Sequence, residues 1–251
     1  MAIILVPLPA TDFDPTEVAV PWRILSAAGH QLRFTTPDGR PVSADPRMVT
    51  GEGLGLLASV LRADGNGRAA YAELIASEAF RQPLAWAQIA PDDFDAMLLP
   101  GGHAQGMRPY LESAQLQALV ADSFRRDKPV AAICHGVLLA ARSTGADGRS
   151  VLHGRKTTAL TAQMELSAWN LTRLWLGDYY RTYPITVEDE VGALLAQPSD
   201  FLRGPTSLRR DGPTTLQRGF VVRDGNYLSA RWPGDAHRLG HELAALLAGP
   251  R

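Results

Sequence analysis

The chain has 251 residues, 45% of them hydrophobic and 20% charged, and Lys+Arg 25 against Asp+Glu 26 leaves a net charge of -1. That is the composition of an ordinary globular protein, and the balanced charge excludes nucleic acid or an anionic membrane as the expected partner. One cysteine allows no internal disulfide and points to a reducing, cytoplasmic setting, while the apolar run at 2–8 is too short for a membrane span.

The Ile-Ile-Leu-Val run within 2–7 reads as the first strand. Asp14, Pro15 and Glu17 then make a helix start: a capping side chain, a proline at the first helical position and a glutamate three residues after the cap. The helix should run to Ala28 and stop at Gly29. Pro21 lies within it, takes a hydrogen bond away from the Glu17 carbonyl and is expected to kink it. Residues 31–35 form the second strand, and Pro37-Asp38-Gly39 a turn. Strand, helix, strand is the opening of a doubly wound α/β sheet.

Residues 42–89 break that rhythm and read as a helical insertion, a lid or a dimer surface, with helices over 54–62 and 68–80. Gly51, Gly53 and Gly55 follow no convincing strand, which argues against a nucleotide loop. A strand at 95–100 leads into the turn Gly101-Gly102-His103, and a helix over 111–126 has apolar residues at helical spacing. The apolar strand Val130 to Ile133 then meets Cys134, His135 and Gly136, followed by helix formers. This is the pattern of a nucleophile elbow, a sharp strand-to-helix turn that presents one side chain above a sheet. A thiol at a helix N-terminus should also favour its thiolate. Further on, the pattern predicts a strand at 156–160, a helix at 162–176, a loop-rich stretch at 179–210, a hairpin about Asp224-Gly225-Asn226 and a last helix at 236–247. With no repeat or linker, the reading is a single domain over 1–251.

In a parallel sheet the turns that follow the strands share one carboxyl edge. That edge should gather Asp14 and Glu17, Gly101-Gly102-His103, and Cys134-His135. A protonated Glu17 could donate a hydrogen bond to the sulfur; the capping pattern is the competing explanation, but a cap residue would not need the kink at Pro21, which favours a site role for Glu17. The amides of Gly102 and His135 could hold an oxyanion, with Gly101 letting the backbone come close. A catalytic His135 needs a carboxylate behind it, and spacing leaves Glu165, Asp178, Glu188, Asp189, Glu190 and Asp235 all open. His103, Tyr183 and Trp232 are pocket candidates. Their clusters, Tyr179-Tyr180-Arg181-Thr182-Tyr183 and Arg231-Trp232-Pro233, could equally be packing. His237 and His241 stand at metal-capable spacing but read as a solvated helix face, so no metal is expected.

Four motifs together resemble the ThiJ/PfpI superfamily, relatives of class I glutamine amidotransferase domains. They are Asp14-Pro-Thr-Glu17 with Pro21-Trp22, Thr36-Pro-Asp-Gly39, Leu99-Pro-Gly-Gly-His103 and Ala132-Ile-Cys-His-Gly136. The resemblance implies a flavodoxin-like sandwich, a homodimer, a reactive Cys134 touched by Glu17, and no cofactor. The branch with a Cys-His pair implies a glutathione-independent glyoxalase or deglycase, in which Cys134 adds to a small 2-oxoaldehyde as a hemithioacetal. By the same likeness Glu165 would complete a triad with Cys134 and His135. A holdase chaperone or an oxidative-stress thiol sensor is the alternative. Amidase, peptidase or glutaminase chemistry is a further one, against which the chain offers His241-Glu242 adjacent rather than a spaced His-x-Glu.

Overall fold

The computed structural model describes residues 1–206 and 208–249. Among these, seven strands form one sheet: β1 (Ile3–Pro7), β2 (Gln31–Thr36), β3 (Leu84–Ala85), β4 (Ala96–Leu99), β5 (Val130–Ile133), β6 (Val221–Asp224) and β7 (Tyr227–Ala230). Their order is β3-β2-β1-β4-β5-β7-β6. Every neighbouring pair is parallel except β6, which runs antiparallel to β7 across the hairpin. The side chains of β4 and β5 are buried throughout and those of β1 nearly so, as expected of central parallel strands covered on both faces.

The main helices are α1 (Pro15–Ala27), α2 (Gly65–Ala76), α3 (Ala114–Arg125), α4 (Gly136–Arg142), α5 (Ala162–Leu176), α6 (Val187–Leu194) and α7 (Ala236–Ala248). Helix α1 packs against α2 and α7, and α4 packs against α3 and α6. The result is a doubly wound, mostly parallel α/β sandwich. Asp14 caps α1, accepting from the N–H groups of Thr16 at 2.7 Å and Glu17 at 3.1 Å. The helix continues through Pro21 to Ala27. Helix α7 comes close at that point, because a Cβ on Gly240 would lie 3.2 Å from the Pro21 Cα.

Several elements differ from the sequence reading. Residues 156–160 do not enter the sheet: the place beside β5 belongs to β7, which pairs with all four β5 residues. Thr157 instead bridges to Phe201, and the Thr158 N–H donates to Ser229 Oγ at 3.0 Å. The 42–89 segment is helical but more broken than expected. It holds Pro46–Thr50, a tight turn Gly55–Leu57 running into Ala58–Leu61, α2, and Glu78–Arg81 after a new cap at Ser77. It also supplies β3, whose two residues are too few to show any period. Gly51 ends the first of these helices in a left-handed conformation, φ 83°, which accounts for one glycine of that cluster without a nucleotide. The helix expected over 111–126 divides into Arg108–Leu111 and α3, because Ser113 caps a second start. The loop-rich 179–210 stretch contains α6. Among the described residues, no helix is long and apolar enough to cross a membrane.

Candidate active site

The site sits where β1, β4 and β5 end. Strand β5 stops at Ile133, and the Cys134 N–H still donates to the Ala230 carbonyl at 3.0 Å. The backbone then reverses, with Cys134 at φ 58°, a left-handed conformation that a side-chain-bearing residue adopts at a cost of order 1–3 kcal/mol. Gly136 is required by the close passage of the neighbouring turn: a Cβ there would lie 2.1 Å from the Leu99 carbonyl oxygen. The elbow thus locks the end of β5 against the end of β4.

Glu17 lies entirely buried against this elbow. Its Oε2 accepts from the Gly101 N–H at 2.8 Å, while Oε1 has no conventional partner and the carboxyl group interacts with Cys134. Burial, followed by repulsion from Asp14, pushes Glu17 well above the usual carboxylate range, which favours its protonated form. Gly101 therefore holds Glu17 and has no N–H left for an oxyanion. A Cβ on Gly101 would meet His135 N at 2.7 Å and Glu17 Oε2 at 2.9 Å.

Cys134 departs from the sequence expectation in its ionisation. It is 5% exposed, and burial first, then the neighbouring Glu17 carboxyl, push its thiol well above the ordinary value. The His135 amide donates to the sulfur and works the other way, but does not prevail. Helix α4 has only seven residues, and its dipole cannot offset desolvation. The resting group is a thiol.

His135 stands beside that thiol. Its Nδ1 lies 3.4 Å from Cys134 Sγ, and its Nε2 lies 3.0 Å from Thr182 Oγ1. The Thr182 hydroxyl also reaches the His103 carbonyl. A carbonyl cannot donate, so the single hydroxyl hydrogen goes to His103 O and Thr182 accepts from His135 Nε2–H. This fixes the tautomer: Nδ1 carries the lone pair and faces the sulfur. Burial, then the neighbouring His103 and Arg142, lower His135 to about 3, so the ring is neutral.

None of the six candidate carboxylates is bonded to His135. Glu165 accepts from the Val187 N–H at 2.9 Å and faces Arg181 at 3.7 Å, so it steadies the start of α6. Asp178 accepts from Trp169 Nε1, Asp189 from the Thr186 hydroxyl, and Glu188 from the Ala162 N–H. Glu190 pairs with Arg142 and Asp235 with Arg231, each through two contacts. Thr182, a neutral residue, stands where the resemblance called for an acid. The only sequence signal for it was its place in the Tyr179–Tyr183 cluster.

Above Cys134 opens a cavity of about 610 Å³. It is lined by Asp14, Glu17, Gly102, His103, Tyr180 and Trp232 and by apolar side chains of α5 and the 42–89 segment. Gly102 lies at φ 156°, with the Asp12 carbonyl oxygen 2.3 Å from where a Cβ would stand. His103 stacks on Tyr180, ring centroids 4.2 Å apart. Glu165 also borders the cavity, and burial raises its carboxyl to about 7. Tyr183 does not: its hydroxyl joins Arg142 at 2.9 Å and Glu112 at 2.8 Å, away from the cavity lining. His237 is not on a solvated face either, since it is buried and pairs with Asp211 at 3.2 Å, whereas His241 is exposed. Among the described residues, no group of three or more His, Cys, Asp or Glu side chains could hold a metal.

A doubly wound α/β sandwich with a cysteine at a left-handed elbow and a buried glutamate beside it is the class these features define. The chain belongs to the ThiJ/PfpI family, whose model, described as ThiJ/PfpI family-like, matches residues 8–205. A deglycase of Thermococcus kodakarensis is 30% identical over 166 residues, covering 65% of this chain and 69% of that one. Deglycase PfpI of Pyrococcus furiosus is 25% identical over 242 residues, 96% of each chain. The crystal structure of glyoxalase III from Candida albicans superposes with a TM-score of 0.68 at 16% identity, covering 97% of this chain and 96% of that one. At that identity the likeness bears on the fold.

Proposed function

We propose that the protein is a cysteine-dependent enzyme of the glyoxalase or deglycase kind, acting without glutathione on 2-oxoaldehydes such as methylglyoxal. The carrying observation is the arrangement at the elbow: one thiol at the base of a cavity, with the lone pair of His135 Nδ1 at 3.4 Å and a buried glutamate against the sulfur. The deglycase names among the relatives support the same reading.

The thiol of Cys134 gives its proton to His135 Nδ1 as the sulfur adds to the aldehyde carbon. The carbonyl oxygen, facing the amide of Gly102 and, once the sulfur is bonded to carbon and releases it, the amide of His135, takes up that proton, and the product is a neutral hemithioacetal. His135 Nδ1, neutral again, then removes the hydrogen from the former aldehyde carbon and returns it to the adjacent carbon, while the hydroxyl proton passes to the former ketone oxygen, which leaves a thioester. Water attacks the thioester carbonyl, the carbon–sulfur bond breaks, and the thiol regains its proton. The sum is methylglyoxal plus water giving lactate. A protonated Glu17 fits this cycle, because an ionised one would oppose every charge that builds on the sulfur.

A thiol sensor calls for an accessible, readily ionised cysteine. Burial and the raised thiol both disfavour that role here. The enzymatic reading is tested by mixing purified protein with methylglyoxal in the absence of glutathione and following lactate. Lactate formation lost in Cys134→Ala is the expected result, and equal rates in both proteins end the proposal.

A further inference from the structure

Four polar groups that share the cavity with Cys134 have a buried atom without a hydrogen-bond partner among the described residues: His103 Nε2, Tyr180 Oη, Arg210 Nη1 and Trp232 Nε1. They form a connected group. The rings of His103 and Tyr180 stack at 4.2 Å, the Arg210 guanidinium lies 5.2 Å from the centroid of the Trp232 ring, and its charge acts on Tyr180. The indole and guanidinium nitrogens can only donate, and the phenol can donate. Tyr180 is 7% exposed, and His103, Arg210 and Trp232 are half-buried.

Arg210 gives the group its sign. Its Nη2 donates to the Arg62 carbonyl at 3.2 Å, yet among the described residues it has no ion pair within salt-bridge distance. Asp14 feels its charge and, although burial raises it to about 6, is largely ionised at neutral pH, so it offsets part of the Arg210 charge without reaching salt-bridge distance. Unpartnered donors lining one cavity, beside a guanidinium with no carboxylate within salt-bridge distance among the described residues, call for acceptor oxygens that carry negative charge. Asp14 and Asp45 nearby make a single negative charge a better fit than a phosphate dianion.

The rest of the cavity fixes the remainder of the ligand. Met48, Leu61, Leu160, Met164 and Leu171 line it, and about 610 Å³ is the size of pocket that takes a drug-sized molecule. Methylglyoxal would occupy a small part of that space. We propose that Arg210, Trp232 and Tyr180, with His103, bind the carboxylate of a carbonyl substrate whose apolar chain or ring fills the rest of the cavity. This rests on the reading of Cys134 as the reacting atom, and it narrows the substrate from any small 2-oxoaldehyde to an amphiphilic carbonyl acid.

The test separates binding from chemistry. Calorimetry on the full chain compares 4-phenylbutyrate with 4-phenylbutan-1-ol, neither of which has a reactive carbonyl. The acid is expected to bind about tenfold tighter than the alcohol, the usual size of a charge-assisted contact. That preference should fall below about threefold in Arg210→Gln, survive in part in Arg210→Lys, and weaken in Trp232→Phe, which keeps the ring but loses its N–H. Thermal melts of the three variants verify folding, and the Lys and Phe variants keep the question open to refutation if the Gln variant is unstable. Equal binding of acid and alcohol by the unaltered protein, or an unchanged preference in folded Arg210→Gln, overturns the proposal. A carboxylate preference in a protein that does not turn over methylglyoxal supports this subsite while counting against the chemistry of the preceding section.

Discussion

The floor and the wall of the cavity are held in place by different means. The floor, Gly101, Gly102, Cys134 and His135, is a set of strand ends fixed by one parallel sheet, and its spacing is set by backbone. A Cβ on Gly101, Gly102 or Gly136 would strike a neighbouring backbone atom at 2.7 Å or less. The wall, from Leu160 to Arg210 with Trp232, comes from a helix and loops that contribute side chains to the cavity. The floor therefore has little room to vary, while the wall can change its ligand by changing side chains. On the proposed reading, such a division puts the chemistry in the floor and substrate choice in the wall.

The largest effect should come from breaking the floor. Gly136→Ala places a methyl group against the Leu99 carbonyl, and neither backbone can yield without disturbing β4 or β5. A loss of about 3 kcal/mol or more is expected, read as the urea midpoint at constant slope. A variant within about 0.5 kcal/mol of the parent would show that the elbow is less rigid than described.

Thr182→Val probes a contact between wall and floor. It keeps the shape but removes the acceptor of His135 Nε2–H and the donor to the His103 carbonyl. If 2-oxoaldehyde turnover is present, kcat should fall about 10²-fold with little change in KM, and Thr182→Ser should restore most of it. An unchanged kcat would mean that the His135 tautomer is set by something else.

Glu165→Gln addresses the wall alone and should have the smallest effect. The Glu165 carboxyl is raised to about 7 in the folded chain from 4.5, so the native state holds its proton more tightly than the unfolded state does. Its contribution to stability is complete below about pH 4.5 and is lost as pH rises through 7. Gln cannot ionise and can still accept from Val187. The unaltered protein should therefore lose stability relative to the variant between pH 4.5 and 8, by at most about 3 kcal/mol. Urea midpoints of both proteins at these two pH values measure it, and parallel pH curves would contradict the assignment.

The same division governs what could be read from the sequence. The floor was legible because strand, turn and glycine are local signals, and one parallel sheet forces their convergence. Cys134, Glu17 and Gly102 were reachable in this way. The wall was not, because its contacts span long separations, such as the 47 residues between His135 and Thr182. A threonine carries no pattern that marks it as a partner for histidine, whereas six carboxylates offered themselves and each has another partner. Arg210 was missed for the same reason. Residues 156–160 look like a strand by composition, and only the pairing of β5 with β7 shows why they are not one. The ionisation of Cys134 was misjudged because the helix N-terminus is visible in sequence, while the extent of burial is not.

The most direct measurement is the pH dependence of Cys134 alkylation by iodoacetamide, followed by intact mass. The chain has a single cysteine, so the signal has one source. A thiol held protonated by burial and Glu17, with a neutral His135 waiting beside it, should react slowly at pH 7 and accelerate only above the ordinary thiol range. A rate already on its plateau by pH 7 would mean a resting thiolate, and would contradict the site as described.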